Sequence, residues 1–374
     1  VPKTIYFVAG EASGDNHGAA LMRSLREEIS DLRLAGRGGP RMTSQAGPGF
    51  RDWIDSAAVL GLWEVIKKYG YFRKQFHETL REIELLRPDA VVLIDYPGFN
   101  LRLARALRQR EVRPRIIYYI SPQVWAWNRG RVKQMARWLD LMLCIFPFEA
   151  ELYNKSGLRT IFVGHPMNER LEPLRIEGGR DPNLVALFPG SRRREVRKIL
   201  PILLESGREL LRRKPQLHFE IGAASAELAR EIQETVGRHP NESDFTVKTG
   251  HSAALMQRAA AGMVASGSAT LEAAYFRLPF VLVYNVSWLT YLAGRMVIKV
   301  DYLGMPNVIA GRAVVPEFIQ HEARPKPLAE SVLRLLDDPI ARSEMTSSFD
   351  AVISSLGEGG ASKRAAAVIA SELQ

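Results

Sequence analysis

The amino-acid sequence predicts an α/β protein made of two doubly wound parallel units. Short apolar runs that read as fully buried strands alternate with amphipathic segments that read as helices. The alternation pauses after about residue 170 and begins again at Leu184. A length of 374 residues suits two domains of ordinary size.

In the first unit, strands are expected at Ile5–Ala9, Arg33–Ala35, Ala90–Ile94, Ile116–Ile120, Leu141–Ile145 and Ile161–Val163. Helical patterns at His17–Ile29, Phe76–Leu86 and Leu101–Arg110 lie between them. The second unit opens with Leu184–Phe188, a Pro-Gly-Ser turn and a helix from about Val196 to Arg213. Its further strands are Leu217–Ile221, Phe245–Val247, Met263–Ala265 and Val281–Tyr284. The joint falls in Leu171–Asn183, rich in Pro, Gly and charge. The expected division is 1–170, 171–345 and a helical segment 346–374.

Composition narrows the function. A chain 46% hydrophobic and 25% charged is an ordinary globular protein, not a disordered, collagen-like or coiled-coil one. The 51 Lys and Arg against 41 Asp and Glu leave a net charge of +10, which favours an acidic partner. With Cys144 as its one cysteine, the sequence has no intramolecular disulfide and no cysteine-based zinc site. The chain shows no secretory signal and no apolar run long enough to span a membrane; the nearest, Trp288 to Leu303, is broken by Arg295, Lys299 and Asp301. The histidines are scattered and no carboxylate set clusters with them, so no metal site is expected.

Doubly wound sheets bind ligands beyond the carboxyl ends of their strands, so the residues just after each strand matter most. The first strand runs into Gly10-Glu11-Ala12-Ser13-Gly14-Asp15, which matches neither the dinucleotide fingerprint nor a P-loop. Glu11, Ser13 and Asp15 suit sugar hydroxyls; Asp15 alternatively caps a helix. Asp95, at the end of Ala90–Ile94 and before a Pro-Gly turn, is placed to act as a general base or to cap that turn. The loop Ser121–Arg131 carries Gln123, Trp125 and Trp127, a wall for sugars or acyl chains, or a packed loop.

In the second unit, Gly190, Ser191 and Arg192 sit between a strand and a helix, as a diphosphate site requires. Ser266, Gly267, Ser268 and Ala269 repeat that arrangement, and Glu272 one turn later suits a ribose diol, or else this is an N-cap followed by a plain helix glutamate. Segment 61–76 sets Leu62, Val65, Ile66, Tyr69, Phe72 and Phe76 at helical spacing, with Trp63 beside them and Lys67, Lys68, Arg73 and Lys74 flanking. This is either a core helix or an element that meets anionic lipid, with Gly70 as a break.

The segments GEASGD (10–15), GGPRM (38–42), DYPGFN (95–100), YISPQVWAW (119–127), FPFE (146–149), VGHP (163–166), PGSRRREV (189–196), SGSATLE (266–272) and DYLGMPN (301–307) span nearly the whole chain. In this order they resemble the lipid-A-disaccharide synthase family of bacterial glycosyltransferases. The resemblance implies a GT-B fold, two Rossmann-like domains facing a central cleft. It implies transfer from UDP-2,3-diacylglucosamine to 2,3-diacylglucosamine 1-phosphate, with inversion, giving a β-1,6-linked disaccharide 1-phosphate and UDP. Asp95 would be the base and Arg192 would stabilise departing UDP. Asn307 would lie near the nucleotide, and Glu11, Ser13, Asp15 and Gln123 would shape the sugar and acceptor pockets. The resemblance also implies a cytoplasmic protein, peripheral on the anionic inner-membrane surface, with no cofactor, and suggests a homodimer. A different UDP-sugar enzyme of the same fold, such as a 2-epimerase, would not need segment 61–76. No nucleic-acid-binding signature accompanies the positive charge, so nucleic acid is not an expected partner.

Overall fold

The computed structural model describes residues 2–54, 69–127, 130–286 and 301–374; of Tyr69, Ala126 and Trp127 it describes the backbone alone. The chain forms two compact units, one of residues 1–166 with 356–374 and one of residues 167–355. The units therefore divide at Pro166/Met167 and Ser355/Leu356. The helix Pro339–Ser355 stays in the second unit and the helix Ala361–Glu372 belongs to the first.

Seven parallel strands form the sheet of the first unit. They are β1 (Lys3–Ala9), β2 (Leu32–Gly38), β3 (Arg51–Asp52), β4 (Ala90–Ile94), β5 (Arg115–Tyr119), β6 (Leu141–Cys144) and β7 (Thr160–Phe162). Their order is β3-β2-β1-β4-β5-β6-β7. The central strands are apolar because helices cover the sheet; every residue of β4 is buried.

The helix Tyr69–Leu86 is fixed by Arg37, a fully buried arginine on β2. Its guanidinium donates to Glu82 at 2.8 Å and to Gln75, while the Tyr6 hydroxyl donates to Glu82 at 2.6 Å. A buried guanidinium is tolerated only with such partners. Gly70 is the second residue of this helix, and the segment 61–68 before it lies outside the described residues. The helix Ala361–Glu372 closes the unit. Arg364 donates to the Val163 carbonyl at 2.8 Å, His165 N–H to Leu356 O at 2.9 Å, and Glu372 pairs with Arg115 and Arg159.

The second unit repeats the plan with β8 (Asp181–Phe188), β9 (His218–Ala223), β10 (Phe245–Thr249), β11 (Ala259–Ala265), β12 (Phe280–Tyr284) and β13 (Glu317–Ile319). The order is β10-β9-β8-β11-β12-β13, again all parallel. The helix Arg193–Arg213 covers it by burying Val196, Ile199, Leu200, Leu203, Leu204 and Leu210, the spacing of one helix face. Among the described residues, no helix is long and apolar enough to cross a membrane.

Candidate functional site

In each unit the strand order reverses beside the first strand: between β1 and β4, and between β8 and β11. This is where a doubly wound sheet leaves a crevice. Register brings the relevant turns together. Ala9 lies beside Ile94, so Gly10 and Asp95 leave adjacent strands side by side. Phe188 lies beside Val264, which does the same for the Pro189-Gly190 and Ser266-Gly267 turns.

Asp95 stands on an unusual backbone. It and Tyr96 both adopt left-handed φ, at 45° and 50°. Such a conformation costs a non-glycine residue on the order of 1–3 kcal/mol and persists only when neighbours enforce it. Here the enforcement is visible. The Asp95 N–H donates to Tyr119 O at 3.2 Å, and its carbonyl accepts from the Tyr118 hydroxyl at 2.5 Å and Asn100 Nδ2 at 2.7 Å. Tyr96, not Asp95, is the N-cap of the helix Pro97–Arg108. Burial pushes the Asp95 carboxyl from its ordinary 3.8 up to about 6. The Glu11 carboxylate adds to this and the Tyr96 N–H opposes it. Gly10 is required by packing: a Cβ there would sit 2.4 Å from the Tyr96 ring. The Trp53 indole donates to Ala9 O at 2.6 Å and meets Phe99 edge-on, closing the turn from below.

The other first-unit candidates separate. The helix expected from His17 begins at Ala12, with Glu11 as its N-cap, so Ser13 and Asp15 lie in its first turn rather than in a loop. Glu11 and Ser13 are exposed beside the Asp95 turn, and Gln123 is exposed after β5. Asp15 points inward. Its oxygens accept from the backbone N–H groups of Gly39 (3.0 Å), Arg41 (3.1 Å) and Met42 (2.9 Å), anchoring the start of the helix Pro40–Ala46. A sugar-binding Asp15 does not fit that geometry.

Of the expected lipid segment, Leu62, Trp63, Val65, Ile66, Lys67 and Lys68 lie outside the described residues, as does the Tyr69 side chain. Phe72 and Phe76 pack against the first unit's core, and Phe76 meets Phe99 edge-on at 5.8 Å. They serve as core residues because the Arg37 clamp turns that helix face toward the sheet. Arg73 is exposed.

In the second unit Gly190, Ser191, Ser266, Gly267, Ser268, Ala269 and Glu272 line one pocket with Phe188, Glu195, Gly222, Ser252 and Met256. Two expected members stand apart. Arg192 is an exposed N-cap whose guanidinium pairs with Glu195 at 3.0 Å. Asn307 is buried, and its amide is fully engaged. It donates to Val315 O and Glu317 at 2.8 Å and accepts from Val314 and Val315 N–H at 2.8 Å. Asn307 thus ties the helix Met305–Ala310 to the chain before β13 and does not line the pocket. Glu272 accepts a hydrogen bond from Arg170 at 2.6 Å.

Sequence reasoning missed three charged groups. Glu195 caps its own helix, accepting from Ser191 N–H at 3.3 Å and Arg192 N–H at 3.4 Å; its signal was its place three residues after Arg192. Gly190, at φ +117°, lies against it. Arg37 gave no signal, since nothing nearby in sequence announces its partners. Glu149 is wholly buried and accepts from the Trp125 indole at 2.9 Å. Burial pushes its carboxyl up to about 7.

The model of the lipid-A-disaccharide synthetase family matches residues 5–370. The lipid-A-disaccharide synthase of Geobacter sulfurreducens is 41% identical over 98% of this chain and 96% of its own length. That of Syntrophus aciditrophicus is 38% identical over 97% and 96%. Among solved structures, the chain is similar to a glycosyltransferase of kitacinnamycin (TM-score 0.61, 16% identity, all of both chains). It is also similar to the UDP-GlcNAc 2-epimerase of Methanocaldococcus jannaschii (TM-score 0.60, 11% identity, 99% of both chains). At such identities the likeness establishes the fold alone, GT-B with two Rossmann-like domains.

Proposed function

Because this chain belongs to the lipid-A-disaccharide synthase family and so has a role in lipid A biosynthesis, we propose that it joins UDP-2,3-diacylglucosamine to 2,3-diacylglucosamine 1-phosphate. The products are the β-1,6-linked disaccharide 1-phosphate and UDP. The acceptor 6-hydroxyl oxygen attacks the donor anomeric carbon opposite the leaving group. Its proton passes to Asp95, the carbon–oxygen bond to UDP breaks, and the anomeric centre inverts.

The observation that carries this reading is Asp95. A carboxylate held at a strand-order reversal with a pKa of about 6 is ionised near neutrality yet more basic than an ordinary aspartate. Glu11 and Ser13 flank it and bind sugar hydroxyls, with Gln123 on the acceptor side. The second unit takes the nucleotide in its pocket, with Glu272 toward the ribose and the 266–269 turn toward the diphosphate. The diphosphate also draws on the Ser191 and Arg192 N–H groups, which Glu195 then releases together with the Arg192 guanidinium. Arg73, with Lys67 and Lys68, meets the anionic inner-membrane surface from the cytoplasmic side, where both acylated substrates reside.

The test is a detergent-supported assay that follows UDP release and disaccharide. Wild type and Asp95→Ala run together, with unacylated UDP-GlcNAc as a control donor. Disaccharide from wild type alone supports both the reaction and the base. Equal product from both removes Asp95 from the mechanism. Turnover of only the unacylated donor overturns the reaction.

A further inference from the structure

The helix Pro147–Lys155 reaches the loop after β5 at two points that bracket Gln123. Glu149, in its first turn, accepts the Trp125 indole N–H at 2.9 Å, and Tyr153, one turn on, donates its hydroxyl to Pro122 O at 3.0 Å. Trp125 also meets Phe148 edge-on at 4.9 Å. Ile120 enters the loop at φ 65°, a left-handed conformation that a β-branched residue adopts only under constraint. Gln123, between the tethers, keeps its side chain exposed.

The same strand buttresses Asp95, through the Tyr118 hydroxyl and the Tyr119 carbonyl. The segment Ser121–Trp125, which ends in the short helix Val124–Trp127, and the Asp95 turn are thus fastened to one β5.

Glu149 is an expensive fastener. It is fully buried and carries no ion pair among the described residues, and helix capping alone needs no buried carboxylate. We infer that Glu149 is a positioning residue for the acceptor side of the site, acting through Trp125 to hold the Gln123 loop beside Asp95. This rests on the proposed transferase reading and assigns a role to Trp125 and to the 146–149 segment, which the mechanism leaves unused.

The test compares wild type, Glu149→Ala, Glu149→Gln, Trp125→Phe and the double variant Glu149→Ala/Trp125→Phe in the disaccharide assay, with thermal melts alongside. Glu149→Ala should raise the acceptor KM about tenfold, as expected from losing one buried hydrogen bond that holds a binding loop. The donor KM should stay within about twofold, since donor contacts lie in the other unit. Glu149→Gln retains an acceptor for the indole and should restore the acceptor KM. Trp125→Phe should match Glu149→Ala, and the double variant should be no worse than either single one.

A general loss of folding would instead lower melting temperature and amplitude with both KM values unmoved, or move both together; either result overturns the inference. So does a Gln variant as impaired as Ala, or additivity in the double variant. If Glu149→Ala does not fold, an unchanged acceptor KM in Trp125→Phe overturns it. Absence of disaccharide from wild type overturns the transferase reading and the inference with it. A wild type that turns over, with an acceptor KM indifferent to both positions, overturns the inference alone.

Discussion

Asp95→Asn should make the protein more stable, and by more at pH 8 than at pH 4. The folded state raises this carboxyl from 3.8 to about 6 through burial and the nearby Glu11 charge. Between those values the folded protein holds a proton that the unfolded chain has released, so stability falls as pH rises. Above about pH 6 the penalty is level at no more than about 3 kcal/mol, the linkage equivalent of that shift. Asparagine removes the charge and keeps the size. It also tolerates left-handed backbone, which adds a gain independent of pH.

The charge effect is therefore read as a difference. The melting-temperature gain of Asp95→Asn at pH 8 minus its gain at pH 4 should be several degrees, at roughly 2–4 °C per kcal/mol for a unit of this size. The transition to follow is that of the first unit, monitored in wild type and variant by calorimetry. An equal gain at both pH values, or a loss at pH 8, would refute the claim that Asp95 is held as a disfavoured anion. The same group predicts the acid limb of activity: kcat/KM should fall about tenfold per pH unit below about 6.

Gly10→Ala forces a Cβ against the Tyr96 ring and should displace the Asp95 turn, with a loss of about 1–3 kcal/mol in stability and a larger loss in turnover; melting and the disaccharide assay check this. Asn307→Ala removes four hydrogen bonds in a buried site and leaves the Val314 and Val315 N–H groups and the Val315 carbonyl without this partner; it should cost about 2–4 kcal/mol, measured by denaturant unfolding of the second unit, with UDP affinity per folded molecule little changed. On the proposed reading, in which its guanidinium acts on the diphosphate, Arg192→Ala should weaken UDP binding about tenfold in calorimetric titration while leaving uridine binding unchanged.

The fold is legible because parallel strands buried on both faces announce themselves as apolar runs, and the expected bounds of Ala90–Ile94 match the strand to the residue. Strands β3 and β13, two and three residues long, are too short to leave a pattern. The helix at Ala12 reads late because Glu11 caps it without a side-chain bond, so the usual capping signal is missing. The glycines and serines around the second-unit pocket stand out because they come directly after strands at the reversal point. Asp15 and Asn307 mislead for one reason. Each is a polar residue in a turn-like setting, and its partners lie 24 to 27 and 7 to 10 residues away, where local reading does not reach. Arg37 and Glu149 escape for the complementary reason, that a charge in sequence looks solvated until its burial is seen.

The return of the helix Ala361–Glu372 to the first unit has a consequence for biosynthesis. The second unit, residues 167–355, is one unbroken stretch inserted into the first, whose two pieces are synthesised before and after it. The second unit can complete its sheet as soon as it emerges. The first must wait with the surface of the helix Ala12–Glu28 uncovered, and with Arg115 and Arg159 lacking Glu372, until the chain is made through residue 372. A chain that ends at residue 355 and has been released from the ribosome should therefore protect the inserted unit from protease while leaving the strands that carry Asp95 open to attack.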